Sequence, residues 1–220
     1  MESTLEILTT TEAAVVAGVS VEDVNRAIDR KILPSSLYGT TETRTVRRDA
    51  CLWIAFWFET ADLLTSAARQ KVISEGTSRC PSWIELRTCK LKESRAIEVG
   101  FQSLWDEVDS RLKELAKAQE MVLEDPEILS GTPVIRGTRI PVYDVANLVT
   151  AQTPIQELKE LYPRLSEEQF KLAQVFAKAR PLRGRPKRKS LPESRRISVS
   201  KKNLREASIG GLKRAKAANR

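Results

Sequence analysis

The stretch TTTEAAVVAGVSVEDVNRAIDR, residues 9–30, predicts the fold of the N-terminal part of the chain. Thr9 followed three residues later by Glu12 is a capping box, which favours a helix start before an apolar run. Gly18 interrupts that run, and Ser20 is a suitable N-cap for a second helix. Two helices joined by a short turn that contains glycine are typical of a helix-turn-helix unit.

Two short strands and a third helix are expected next. Pro34 ends the helical region, and residues 37–39 and 44–47 read as two strands around a polar turn, as in a wing. Asp49 is expected to cap the following helix, whose apolar side chains are Cys51, Leu52, Ile54, Ala55 and Phe58. The sequence therefore predicts a winged helix-turn-helix module over residues 1–73.

Residues 74–121 form a less regular second part. Residues 82–91 alternate apolar and polar side chains, which favours a strand, and residues 97–101 suggest another. A helical spacing follows at Leu104, Val108, Leu112, Leu115 and Val122. It predicts an amphipathic connecting helix over residues 104–120.

The third part covers residues 122–180. Residues 134–142 read as a hairpin with Gly137 at the centre of its turn, where glycine supplies a positive φ. Helices are expected over residues 143–151, after the start signal Thr153-Pro154 with Gln156, and over 167–178 behind the capping box Ser166-x-x-Gln169.

A resemblance to a known family lies in this third part. Residues 126–142, PEILSGTPVIRGTRIPV, look like the signature of the domain of unknown function 433 family, and so does the sequel ELKELYPRLSEEQ, residues 157–169. The resemblance covers about a quarter of the chain. It implies a small bacterial helix-turn-helix protein, of the kind often encoded beside a PIN-domain ribonuclease toxin and described as a VapB-type antitoxin.

The first part resembles MerR-like and excisionase-like winged helices. This weaker resemblance lies in three short segments, Thr11-Glu12-Ala13-Ala14, Gly18-Val19-Ser20 and Ala27-Ile28. A chain of 220 residues with this N-terminal module and a long tail departs from the bare 433 domain.

Charge divides the chain unevenly. Residues 180–220 hold 15 lysines and arginines against 2 acidic residues, while the formal net charge of the whole chain is only +8. The body before this segment is therefore mildly acidic. A strongly basic tail points to a polyanionic partner, which is nucleic acid, an anionic membrane or an acidic protein pocket.

Several kinds of chemistry are disfavoured. The chain has no histidine, and its three cysteines, Cys51, Cys80 and Cys89, form no CxxC pair, so neither a zinc site nor a cofactor is expected. An enzyme is a poor match without a nucleophile constellation. Scattered thiols favour a reducing cytoplasm, and the acidic N-terminus and short apolar runs argue against a signal peptide or membrane span.

The candidate DNA contacts lie in both modules. On the second helix, residues 21–30, they are Glu22, Asn25, Arg26 and Arg30; in the wing they are Arg44, Arg47 and Arg48; in the third part they are Arg136, Arg139, Gln169 and Lys171. Asparagine and arginine suit base edges, and wing arginines suit phosphates. The alternatives are a solvated helix face of a protein-binding winged helix, a surface charge cluster, a structural turn at 136–139 and a core helix at 167–178.

The tail, residues 181–220, is predicted to be extended and to order on a partner. Residues 183–189, RGRPKRK, resemble an AT-hook, with a plain basic linker as the alternative. The expected toxin contacts are Arg183, Arg185, Arg195 and Arg196 at an acidic site, Ile197 and Val199 in strand addition, and Leu204 on a short helix.

Together these patterns predict a mainly α fold with short β-hairpins: two winged helix-turn-helix modules joined by a helix, plus the extended basic tail. The leading functional interpretation is an antitoxin that binds operator DNA as a homodimer, represses its own operon and neutralises a PIN-domain ribonuclease. The alternative is a stand-alone transcriptional regulator or nucleoid-type protein with an AT-hook-like tail.

Overall fold

Helices make up most of the structure, and short antiparallel strands lie between them. The computed structural model describes residues 6–40, 43–92 and 98–182. Within these ranges the elements follow in the order β1 (Ile7–Thr9), α1 (Thr10–Ala17), α2 (Val21–Asp29), β2 (Tyr38–Gly39), β3 (Thr45–Arg47), α3 (Arg48–Glu59), α4 (Ser66–Arg79), α5 (Trp83–Thr88), β4 (Lys90–Lys92), β5 (Glu98–Gly100), α6 (Gln102–Met121), β6 (Val122–Leu123), β7 (Val134–Ile135), α7 (Val142–Thr150), α8 (Ile155–Leu161) and α9 (Glu167–Ala179). None of the helices in these ranges has the length and apolar character needed to cross a bilayer.

The first two helices begin and end where the sequence predicts. The Thr9 side chain accepts from the backbone N–H of Glu12, whose carboxylate accepts from the Thr9 N–H in return, so the capping box is complete. Gly18 ends α1 with a φ of 71°, a left-handed conformation that glycine adopts without steric cost. Ser20 caps α2 by accepting from the backbone N–H of Asp23.

The predicted pair of strands is present within a larger sheet. Strand β3 pairs antiparallel with β2 on one side and with β1 on the other, in the order β1-β3-β2. Strand β1 was not predicted from the sequence. Asp49 was expected to cap α3, and this is wrong: Arg47 is the N-cap, and Asp49 lies in the first turn. Its carboxylate there faces the positive end of the helix dipole.

The strand predicted over residues 82–91 is wrong. Residues Trp83–Thr88 form the helix α5, which a complete capping box between Ser82 and Glu85 initiates. Trp83 and Leu86 are buried with the three-residue spacing of a helix face. Within these residues only Lys90–Lys92 form a strand, β4. It pairs with β5, which lies where the sequence predicts a strand, near residues 97–101.

The cysteines also depart from expectation. Cys80 and Cys89, expected as free thiols, form a disulfide with a Cα–Cα distance of 6.5 Å, and it joins the end of α4 to the end of α5. The nine-residue separation alone did not signal this pair. Cys51 is free and buried in α3, where burial and the nearby Asp49 carboxylate raise the pKa of its thiol.

The connecting helix α6 leads into the C-terminal part as predicted. Strand β7 pairs with β6, and a bridge between Val134 and Pro141 closes the predicted turn, where Gly137 has a φ of 76°. The helices that follow are α7, α8 and α9. Thr153 was expected to cap α8, but its N–H donates to the Leu148 carbonyl at the end of α7, and Pro154 is the N-cap.

Helix α9 packs into both hydrophobic clusters of the described chain. The larger cluster includes Trp53, Phe56, Phe101, Leu115 and Ala179, and the second includes Ala118, Val142, Phe170, Ala173 and Phe176. Val175 contacts both clusters. Helices α1 and α6 lie against α9, so the described residues up to Leu182 form one compact unit.

A buried carboxylate lies where these three helices meet. Glu12 is 6% exposed, and its Oε2 accepts from the backbone N–H and hydroxyl of Thr9. Its Oε1 accepts from Gln119 at 2.9 Å and from Nε of Arg180 at 3.3 Å. The Arg180 carbonyl in turn accepts from the Tyr143 hydroxyl at 2.7 Å. These bonds hold the residue from which the tail departs.

Candidate nucleic-acid interface

Helix α2 presents a polar outer face because its apolar residues point inward. Val24, Ala27 and Ile28 are buried, while Glu22, Arg26 and Arg30 are exposed at four-residue spacing along one ridge. Residues four apart on a helix lie one above the other. The structure therefore brings together three of the residues that the sequence predicts as DNA contacts.

Arg44 joins the strand pair to this helix. Its Nη1 donates to Oδ1 of Asn25 at 3.0 Å, and its Nη2 lies 2.8 Å from Oδ1 of Asp29. The Asn25 amide nitrogen donates to the Val21 carbonyl at 3.0 Å. Both ends of the Asn25 side chain are thus engaged within the protein, and Arg44 packs against α2 instead of extending away from it.

A chain of side-chain contacts fixes Arg26. The Ser20 hydroxyl donates to Oδ2 of Asp23 at 2.8 Å, and Nη1 of Arg26 donates to Oδ1 of the same carboxylate at 2.8 Å. The Arg26 guanidinium also lies 6.0 Å from the centre of the Phe58 ring. Asp23 was not predicted as a site residue, although the three-residue spacing of these side chains on one helix is a signal that was present in the sequence.

Arg47 and Arg48 have different surroundings. Arg47 is exposed, with Nη2 3.4 Å from a carboxylate oxygen of Asp49. Arg48 is largely buried, and its guanidinium lies 5.2 Å from the centre of the Trp83 ring. A shallow cavity of about 170 Å³ is lined by Glu6, Ile7, Arg47, Arg48 and Asp49. Arg47 is thus the accessible member of the pair.

The predicted contacts of the third part lie on other elements. Nε of Arg136 donates to the Glu120 carbonyl at 2.9 Å, so this arginine ties the turn to the end of α6. The Gln169 side chain accepts from the Ser166 N–H at 2.9 Å and completes the capping box of α9. Arg139 and Lys171 are exposed. Two of these four residues thus have a local structural role.

Charges on the outer face of α2 are balanced. Counting Arg44, which contacts this face from outside α2, three arginines stand against three carboxylates, and two ion pairs join them, Arg26 with Asp23 and Arg44 with Asp29; the other two side chains are Arg30 and Glu22. A balanced face discriminates between hydrogen-bonding partners but adds little general attraction for a polyanion.

Two surface groups in the C-terminal part have shifted pKa values. A hydrogen bond from Lys159 at 2.6 Å lowers the pKa of the Glu167 carboxyl. Burial and then the nearby Glu124 carboxylate raise the pKa of the Tyr143 hydroxyl. Across the described ranges, no group of three or more cysteine, aspartate or glutamate side chains is placed to hold a metal ion.

The predicted toxin contacts lie outside the described residues. They are Arg183, Arg185, Arg195, Arg196, Ile197, Val199 and Leu204, all in the tail beyond Leu182. The tail's root at Arg180 is described.

Comparisons with known proteins agree with the sequence over the C-terminal part. Residues 122–177 match the family described as Protein of unknown function (DUF433). A curated relative, Uncharacterized protein y4eO of Sinorhizobium fredii, is 42% identical over 195 residues, which cover 84% of this chain and 86% of the relative. No solved structure matches the chain. Since the similarity to y4eO extends well beyond residues 122–177 on both chains, this protein belongs to the same family as y4eO and carries within it a DUF433 domain.

Proposed function

We propose that this protein is a non-enzymatic bacterial antitoxin that binds operator DNA through α2 and neutralises a nuclease toxin of the PIN class through its tail. It would act as a homodimer in the cytoplasm and repress its own operon. The proposal treats α1 and α2 as a helix-turn-helix and β2 and β3 as its wing.

The observation that carries the DNA-binding half is the side-chain bridge from Arg44, directly before β3, to α2. Arg44 contacts Asn25 and Asp29, so the residue that precedes β3 lies on the polar outer face of α2. A helix placed in this way is the element that enters the major groove in helix-turn-helix proteins. Arg47, exposed on β3, is then suited to contact the phosphate backbone.

The antitoxin half rests on charge and family. The tail, residues 181–220, holds 14 lysines and arginines against 2 acidic residues, a charge suited to an acidic partner. Arginine forks also fit clustered carboxylates, which are the metal ligands of PIN-class nucleases. The DUF433 match supports this half through the resemblance of that family to VapB-type antitoxins.

Co-expression with the neighbouring gene tests the proposal. The full chain should co-purify with a small nuclease encoded beside it, abolish that nuclease's activity, and shift a duplex taken from the shared promoter. A chain that shifts the promoter duplex but neither binds nor inhibits the neighbouring product would remove the antitoxin half. A chain that binds no DNA would remove the other half.

A stand-alone regulator is the second candidate, and the balanced α2 face is the observation that favours it. If α2 supplies little general attraction, the tail is needed on DNA and is not available to a toxin. In that case a protein without the tail loses most of its affinity for DNA. In an antitoxin, the same deletion mainly abolishes inhibition of the toxin.

A further inference from the structure

Among the outward residues of α2, Arg26 has a guanidinium held in position by its own helix. Asp23 is itself fixed, since one carboxylate oxygen accepts from Ser20 and the other accepts from Arg26, each at 2.8 Å. The Arg26 side chain remains 47% exposed. The bond to Asp23 engages one of the five N–H groups of the guanidinium, so a donor pair is left for a ligand.

The neighbouring candidate for base recognition is occupied. An asparagine reads adenine by using its amide nitrogen and its carbonyl oxygen together. In Asn25 the nitrogen donates to Val21 and the oxygen accepts from Arg44. Both polar atoms of Asn25 are thus already engaged within the protein, which restrains the orientation of its amide, whereas Arg26 can keep its bond to Asp23 and still offer a pair of donors to a base.

We infer that Arg26 reads a guanine in the major groove and that Asp23 is its positioning residue. The inference rests on the proposed DNA binding through α2 and specifies the base. Guanine presents two acceptors, O6 and N7, whose separation matches two N–H groups of one guanidinium. A guanidinium that is already oriented loses less side-chain freedom on binding. Asp23 thereby converts a mobile arginine into a fixed fork.

The test begins with selection of duplexes from a random pool by the full-length chain. The selected sequence should contain a guanine at a position where Arg26→Ala shows no preference. Replacing that guanine by 7-deazaguanine removes the N7 acceptor and should weaken the wild type roughly tenfold, within the range known for bidentate pairs. Arg26→Ala should be weakened by a similar factor on the natural duplex and be indifferent to 7-deazaguanine.

Three further variants separate positioning from folding and from charge. Asp23→Asn keeps a hydrogen-bonding side chain beside the N-cap and should lose preference at that one guanine while its unfolding midpoint changes little. Arg26→Lys keeps the positive charge but has no fork, and it should behave like Arg26→Ala at this position. Arg30→Ala, on the same ridge, should weaken all sequences alike and leave the guanine preference intact.

The outcomes separate this inference from the proposed function. If Arg26→Ala or Asp23→Asn selects the same sequence as the wild type, the guanine reader is wrong, while DNA binding through another surface stands. If the wild type binds DNA and selects no sequence, both the reader and operator recognition by α2 are wrong.

Discussion

The carboxylate of Glu12 accepts a hydrogen bond from Nε of Arg180 at 3.3 Å although 168 positions separate the two residues along the chain. Glu12 belongs to the capping box of α1, and Arg180 is the C-cap of α9. Glu12 is buried, while the Arg180 side chain is half exposed. The pair therefore links the first helix of the chain to the root of the tail.

Substitution of Glu12 should destabilise the fold more than substitution of Arg180. Glu12→Ala removes the carboxylate that serves Thr9, Gln119 and Arg180, and we expect a loss of about 2–3 kcal/mol, since a buried network and a helix cap are lost together. Arg180→Ala should cost about 1 kcal/mol because half of its side chain is in water.

Chemical denaturation of the full-length variants measures both values. The exposed Arg164 is a matched control, and Arg164→Ala should change the free energy of unfolding by less than about 0.5 kcal/mol. An Arg180→Ala protein that equals the control would show that the ion pair contributes nothing to stability.

Gly76 should not tolerate a methyl group. A Cβ at this position would overlap the ring of Trp53, which is 1% exposed and packs against Phe101 with 5.1 Å between ring centres. Alanine is favoured over glycine in a helix by about 1 kcal/mol, but overpacking a rigid core typically costs about 1–3 kcal/mol. We expect Gly76→Ala to lower the melting temperature.

The control for that experiment is Gly100→Ala. No atom lies within 4 Å of a Cβ built at Gly100, so this substitution should leave the melting temperature nearly unchanged. Equal melting temperatures for the two variants would mean that the Trp53 ring moves aside at no cost.

The disulfide between Cys80 and Cys89 can be tested directly by counting the reactive thiols of the protein. Protein purified without reductant should show no thiol that reacts with an alkylating reagent in the native state, because Cys51 is buried and Cys80 is bonded to Cys89. Reduction should expose the pair, and denaturation should add Cys51. Two reactive thiols before reduction would mean that the pair is open in solution.

The same bond should stabilise the region around α5. Closing a loop of this size contributes about 2–3 kcal/mol by the chain-entropy relation. The double variant Cys80→Ser with Cys89→Ser should lose a similar free energy of unfolding under non-reducing conditions and should equal the wild type when both are measured with reductant. Because disulfides are uncommon in a reducing cytoplasm, the thiol state in cells also tests the proposed localisation.

The tail should dominate the salt dependence of DNA binding. Each phosphate that is neutralised contributes a slope of about −0.9 in the logarithm of the binding constant against the logarithm of salt concentration. A chain ending at Leu182 keeps Arg180 and its contacts but loses the basic segment, so its slope should be much flatter. Replacing the tail with an uncharged segment of equal length is the control, and an unchanged slope in both would exclude the tail from DNA contact.

Local signals in the sequence were sufficient for much of the N-terminal part. These signals are the capping box of Thr9 with Glu12, the C-cap at Gly18 and the N-cap at Ser20. Each acts within four residues of its partner, and the structure confirms each of them. Helix α5 carries the same kind of signal, because Ser82 and Glu85 form a capping box. The alternating pattern over residues 82–91 obscured it, although Trp83 and Leu86 also have the three-residue spacing of a helix face.

The contacts that define the candidate interface could not be predicted in the same way. Arg44 lies 19 positions from Asn25, and their bond depends on how the strand pair packs against α2. The pairing of Cys80 with Cys89 depends on how α5 is placed after the end of α4. Each of these contacts follows from packing between elements, on which spacing along one element carries no information.

Helix α9 belongs to both hydrophobic clusters, and this has a practical consequence for deletion mapping. A fragment that starts at residue 122 contains the whole DUF433 match but lacks α1 and α6, the two helices that pack against α9 from the N-terminal side. We expect such a fragment to expose the apolar side of α9 and to aggregate. A loss of DNA or toxin binding would then reflect aggregation, and it would be wrongly taken as evidence that the missing N-terminal helices form the binding surface. Point substitutions in the full-length chain avoid that error, and they are the appropriate tool for assigning roles to the two halves.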